Sequence, residues 1–402
     1  MRVITKIHAC IAATTIFILY FSYTRASPHI QDRINKVWKP TTALSSSLGS
    51  HRLVVFGDDW SDNGVYRFSP PPKSTTRNRD PDRGDMWTEA LCKGLGCDSM
   101  DNFARSIPTN VDIATIGSVV DTDIFANVTE GKRNETLALF DFRTQVEQYM
   151  KFDLFKKRPS GEVAEDNSWT IYTVFFGIWD LLEYSVLDKA DALHAMDRSV
   201  EELFHNLDIL AEHAGEPISV VLPKVVDVTF LPRFQSRKND SDAIFAHHQH
   251  QSVFLWTYWN TALSQAAAAW EGGDIYMPDL NKIIMDAVRE KQLYSKQISD
   301  ASGVGKQMPL FDEVEQPCLS LNGDSVLQAA DVEKCADPAR YLFWDEIHLS
   351  GPAHNLIADA VARMVQGDIT INRGQTPAQG PSVDKKNNEK DGKFNLKFPP
   401  GY

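Results

Sequence analysis

The residues best placed for chemistry lie near the two ends of the folded part of the chain. Phe56-Gly57-Asp58-Asp59-Trp60-Ser61-Asp62-Asn63-Gly64 follows the apolar run Leu53-Val54-Val55, and Trp344-Asp345-Glu346-Ile347-His348-Leu349-Ser350-Gly351 comes just before a helical pattern that starts at Pro352. Asp and His three residues apart on one loop can present an imidazole with one ring nitrogen held by the carboxylate, which fixes the tautomer and orientation of a general base. The bland alternative is a loop histidine beside a helix start. A carboxylate at Asp59, placed against that imidazole, would form an ion pair and favour the imidazolium. Other candidates are weaker. Gly323-Asp324-Ser325 follows no strand and reads as turn composition, and Ser61 reads as a turn hydrogen-bonder. His247, His248 and His250 have no carboxylate or cysteine at matching spacing and read as a solvated helix start, so no metal site is assigned. Trp256 and Trp259, three apart on one helix, read as core.

The elements that must position these residues alternate in type. Leu53 to Phe56 and Trp169 to Phe176 are continuous apolar runs, as buried strands require, with a helix near Met86 to Cys92 between them. Leu193, Met196, Val200, Leu203, Leu207 and Leu210 recur at spacings of three and four, and Gly215 with Pro217 ends that helix. A strand from Ile218 to Leu222, a long helix from about Phe245 to Trp270, a strand at Asp274 to Met277, a helix near Leu280 to Val288 and a last helix from Pro352 to Met364 complete the pattern. It is the signature of one doubly wound α/β domain with a mainly parallel sheet. Ser69 to Gly84 and Arg289 to Cys335 read as inserts.

The flanks and the composition set the compartment. A net charge of −13 argues against nucleic acid as a partner. Arg2 and Lys6 precede an apolar stretch over residues 7–23, and Thr24-Arg25-Ala26 suits a signal peptidase. At about 17 residues the stretch also fits a membrane anchor of type II topology, so both readings of residues 1–26 stand. Residues 27–51 read as a stem, 52–366 as the globular domain and 367–402 as a disordered polar tail. Cys92 with Cys97 and Cys318 with Cys335 are expected as local disulfides, reduced core thiols being the alternative. Acceptor triplets at Asn127, Asn134 and Asn239 are expected on glycosylated surface loops.

From Leu53 to Val365 the chain resembles the GDSL, or SGNH, hydrolases, and looks like the fungal GDSL lipases and carbohydrate acetylesterases among them. The resemblance rests on the Gly57-Asp58 and Asp345–His348 blocks, Met86-Trp87-Thr88-Glu89, Asn102-Phe103-Ala104, Asn260 and the Cys318–Cys335 segment. It implies a three-layer α/β/α, flavodoxin-like domain, an ester or acylated-carbohydrate substrate, and no cofactor. It also exposes three departures. Asp59 stands where the family has its nucleophilic serine, Ile107 falls where a glycine supplies a backbone donor, and Gly177-Ile178-Trp179-Asp180 replaces G-x-N-D, leaving the Trp179 indole as the oxyanion donor. Three readings follow: an ester hydrolase with an altered mechanism in which Asp59 or His348 activates water, an inactive descendant that binds glycan or lipid in the old cleft, and an anchored scaffold.

Overall fold

The computed structural model of the chain describes residues 51–68, 73–76, 79–108, 115–129, 140–156, 168–236, 242–321 and 332–374. The expected leader or anchor over residues 7–23, nearly all of the stem, Asn134, Asn239 and Gly323-Asp324-Ser325 lie outside them.

Five strands form the central sheet: β1 (His51–Gly57), β2 (Ser99–Asn102), β3 (Trp169–Phe175), β4 (Ile218–Val221) and β5 (Gly273–Tyr276). Their order is β2-β1-β3-β4-β5 and every pairing is parallel. Leu53 to Phe56 are wholly buried, which explains why β1 reads as an unbroken apolar run rather than an alternation. In this order the crossovers reverse direction between β1 and β3, and the crevice beyond the carboxyl ends of those two strands is where such a sheet places a site.

Helices cover both faces: α1 (Trp87–Leu95), α2 (Thr122–Thr129), α3 (Phe142–Lys156), α4 (Ile178–Tyr184), α5 (Lys189–Ala214), α6 (Asp242–Ala269), α7 (Leu280–Ser295) and α8 (Gly351–Gly374). The α/β/α architecture expected from the alternation is present. α5 buries Met196, Val200, Leu203, Leu207 and Leu210 and stops at Gly215, whose φ of 72° suits a glycine cap. Two boundaries differ. α7 continues to Ser295, seven residues past Val288, because its apolar face extends through Leu293 to the cap; α8 runs to Gly374, beyond the Gln366 boundary.

Arg52 ties the layers together from inside β1. Its Nε donates to Asp101 on β2 and its Nη1 to Asp153 on α3, both at 2.8 Å. Disulfides join Cys92 to Cys97 and Cys318 to Cys335, the mark of an oxidising compartment, extracellular or within the secretory pathway. Among the described residues no helix is long and apolar enough to cross a membrane.

Candidate active site

The chain leaving β1 turns at once. Asp58 N donates to Phe175 O on β3, and Asp58 O accepts from Ser61 N and Asp62 N, so the carbonyl of one residue closes the turn. Asp58 is buried, and burial first and then the neighbouring Asp59 charge push its carboxyl well above the usual carboxylate range. Asp59 follows it at the lip of the strand.

The second half comes from the loop before α8. Ile347 N and His348 N both donate to Asp345 Oδ1, at 2.9 and 2.8 Å, so the Asp345 carboxylate organises its own loop. His348 Nδ1 lies 2.7 Å from Asp345 Oδ2, and His348 Nε2 lies 2.8 Å from Asp59 Oδ2. With a carboxylate on each ring nitrogen, the imidazole must donate from both. Burial alone would lower its pKa, but Asp345 and Asp59 outweigh it and raise the value to about 9. Burial would likewise raise Asp345, yet the His348 charge and hydrogen bond bring it down to about 2.

Trp179 closes the arrangement. It sits in the first turn of α4, immediately after β3, and its Nε1 donates to Asp59 Oδ1 at 2.8 Å. Its one indole N–H, expected as an oxyanion donor, is thus engaged by the Asp59 carboxylate. Gly177 caps α4 with φ of 117°, and a Cβ there would come within 2.8 Å of the Trp259 indole, so glycine is needed on both counts. Trp259 is wholly buried, as expected of core.

Ile107 is the third residue after the Asn102-Phe103-Ala104 run. It lies in a small hairpin of Ser106–Pro108 with Thr115–Gly117, where it pairs with Ile116. Gly117, on the other arm, takes the place beside the site: a Cβ on it would overlap Trp179 Nε1 and lie 2.6 Å from Asp59 Oδ1. Sequence reasoning missed Gly117 because the hairpin separates it from the Asn102-Phe103-Ala104 run. The remaining signal was only that it is the next glycine along the chain.

The assembled group is closed. Asp59 and His348 are each 2% exposed, Trp179 3% and Asp345 6%. Three sizeable surface cavities, of about 500, 290 and 470 Å³, lie along α7, and none is lined by Asp59, His348 or Trp179. Ser61 is fully buried, with its Oγ accepting from Trp87 Nε1 at 3.1 Å and its carbonyl accepting from Asn102 Nδ2. Its bonding is that of a turn residue. His247 and His250 lie on the exposed first turns of α6. Asn127 is exposed but sits on helix α2 rather than on the expected loop, since the apolar contacts of Ile124 and Phe125 hold that segment helical.

The geometry is thus a carboxylate, an imidazolium and a second carboxylate in line at the switch point of a parallel sheet. No curated protein matches the chain. The family model of GDSL-like lipases and acylhydrolases matches residues 53–361, the span from β1 into α8 that holds every part of this site. The chain belongs to the GDSL-like lipase/acylhydrolase family, and its architecture is that of esterase and acylhydrolase chemistry.

Proposed function

We propose that this chain is a secretory-pathway member of the acylhydrolase family in which the catalytic centre has become a buried ion-pair knot, so that it forms no acyl-enzyme and serves by binding a glycan or lipid ligand. The observation that carries the reading is the Asp59 side chain, held at 2.8 Å on one oxygen by Trp179 and at 2.8 Å on the other by His348. Asp59 has no hydroxyl, and attack by its carboxylate on an acyl carbonyl would give an anhydride. Disulfides and the acceptor triplet at exposed Asn127 support export; residues 7–23 then act as a cleaved signal or as an anchor.

One observation favours a second reading, hydrolysis through an activated water: His348 and Asp345 keep the 2.7 Å pairing of a base with its orienting carboxylate. It requires Trp179 to leave Asp59 and admit water and ester.

Turnover of a short acyl ester separates the two, and fluorophosphonate labelling checks for a serine nucleophile. Wild-type protein is expected to take up no label and to hydrolyse a short acyl ester no faster than buffer. Asp59→Ser should become labelled while turning over weakly, and adding Trp179→Asn should raise turnover by about two orders of magnitude by supplying an oxyanion donor. Wild-type turnover of the ester without labelling would establish the water mechanism, and labelling mapped to Ser61 would overturn both readings.

A further inference from the structure

Of the three cavities along α7, the one of about 470 Å³ borders the candidate active site, although none of Asp59, His348 and Trp179 lines it. Phe343 and Glu346, on either side of Asp345 in sequence, belong to its lining. The Glu346 carbonyl accepts from Arg233 N at 2.9 Å. Pro232 and Gln235 line the cavity, while the guanidinium of Arg233 between them lies 5.6 Å from the centre of the Trp179 ring. One short helix, Pro232–Gln235, therefore touches both the cavity and the ion-pair knot.

The lining sorts by exposure. Ile284 and Val288 on α7, Val314 on the strand Glu313–Pro317 and Phe343 are all buried, so the floor is apolar. It offers no hydrogen-bonding side chain to the hydroxyls of a sugar, whereas a hydrocarbon chain laid on it gains up to about fourfold in affinity for each methylene removed from water. The polar lining is at the mouth, where Ser236, Gln292, Glu315, Gln316 and Glu346 are exposed. Two of these are carboxylates, and none of the described residues that line the cavity is cationic. Lys291 and Lys296 line the neighbouring cavity that Glu315 shares, which leaves Glu346 as the more isolated charge.

An apolar floor under an acidic mouth disfavours a fatty acid or any anionic head group, and the net charge of −13 acts in the same direction. The volume lies within the range of small-molecule pockets. We infer that this cavity binds a cationic amphiphile, a long-chain amine or quaternary ammonium, with its chain on Ile284, Val288 and Phe343 and its head beside Glu346. The binding site is then behind the Asp345 loop and not in the closed cleft at Asp59. The inference does not rest on the state of Asp59: ester turnover reports on the knot, and binding of an unreactive amphiphile reports on the cavity.

The test is calorimetric titration of the full chain with three decyl compounds below their micelle-forming concentrations, carrying trimethylammonium, glucoside or sulfate heads. Decyltrimethylammonium should bind saturably, with the negative heat-capacity change of apolar burial. Decyl glucoside should bind about three- to fivefold more weakly and decyl sulfate at least about tenfold more weakly, the differences shrinking as salt is raised. Tetramethylammonium alone should not bind, because the chain carries the affinity. Glu346→Gln, at an exposed position, should bring the cationic and neutral compounds close to equality, and Met285→Trp should fill the cavity and abolish binding of all three. Should Met285→Trp fail to fold, the order of the three heads in the wild type and in Glu346→Gln still decides. No saturable binding of the cationic compound, equal binding of all three heads in the wild type, or binding undiminished in folded Met285→Trp overturns the proposal.

Discussion

The imidazolium between two carboxylates should make the stability of this protein fall on the alkaline side of neutrality. His348 has an ordinary value of 6.5 and is raised to about 9 in the folded chain. Each tenfold gain in proton affinity is worth about 1.4 kcal/mol, so the folded state gains roughly 3 kcal/mol from holding this proton. Because the folded value is the higher one, that contribution is fully present below pH 6.5 and is lost as pH rises through 9. Asp345, lowered from 3.8 to about 2, reports the same attraction from its other end, present above pH 3.8 and lost as pH falls through 2. The two figures describe one interaction and are not added.

Asp59→Asn isolates the effect, since it removes one of the two charges acting on the ring while keeping an oxygen for Trp179. Urea unfolding from pH 6 to 10 should show the wild type losing about 3 kcal/mol more than His348→Gln over that range. The Asp59→Asn curve should fall between them, and its His348 Cε1–H resonance should titrate about one pH unit lower than in the wild type. Every other titrating group is common to the three proteins, so the differences belong to the knot. A wild-type His348 that titrates at or below 6.5, or parallel stability curves for all three, would refute the reasoning.

Two further changes probe the frame around the site. Gly117→Ala should destabilise by about 1–3 kcal/mol in urea unfolding and quench-shift the buried tryptophan emission, because its Cβ would overlap Trp179 and approach Asp59. Arg52→Met leaves Asp101, 1% exposed, without its cation and should cost about 3–5 kcal/mol, with part of the loss recovered when Asp101→Asn is added.

Much of the fold was legible because its signals are local. The unbroken apolar run of β1, the three-and-four spacing in α5 and the glycine that ends it each declare an element within a few residues. The Asp345 loop was legible for the same reason, as its hydrogen bonds close within four residues. What escaped depends on contacts between distant segments. Trp179 meets Asp59 across 120 positions of sequence, and no pattern near either residue announces that the indole will spend its donor on the carboxylate. Gly117 escaped because a hairpin moves it away from the motif it serves.

The residues at positions 59, 179 and 117 account for one another. A serine side chain at position 59 would stop one atom short of where the Asp59 oxygens lie, leaving room for an acyl carbon between it and an oxyanion donor. The longer carboxylate occupies that room and reaches His348 directly. Its second oxygen then needs a donor, because a buried carboxylate with an unmatched oxygen is costly. An asparagine amide in a first-turn position is shorter than an indole; Trp179 spans the gap and delivers its N–H at 2.8 Å. The indole in turn demands that the opposite wall carry no side chain, which Gly117 satisfies. It follows that reversing one change alone does not recreate an esterase. Asp59→Ser strands the Trp179 N–H and takes one counter-charge from His348, so the imidazole loses protons more readily and can act as a base. The oxyanion position is still filled by a ring that donates in the wrong direction. Labelling without efficient turnover is the outcome this geometry requires of the single reversal, and recovery of turnover needs the tryptophan and the aspartate to be reversed together.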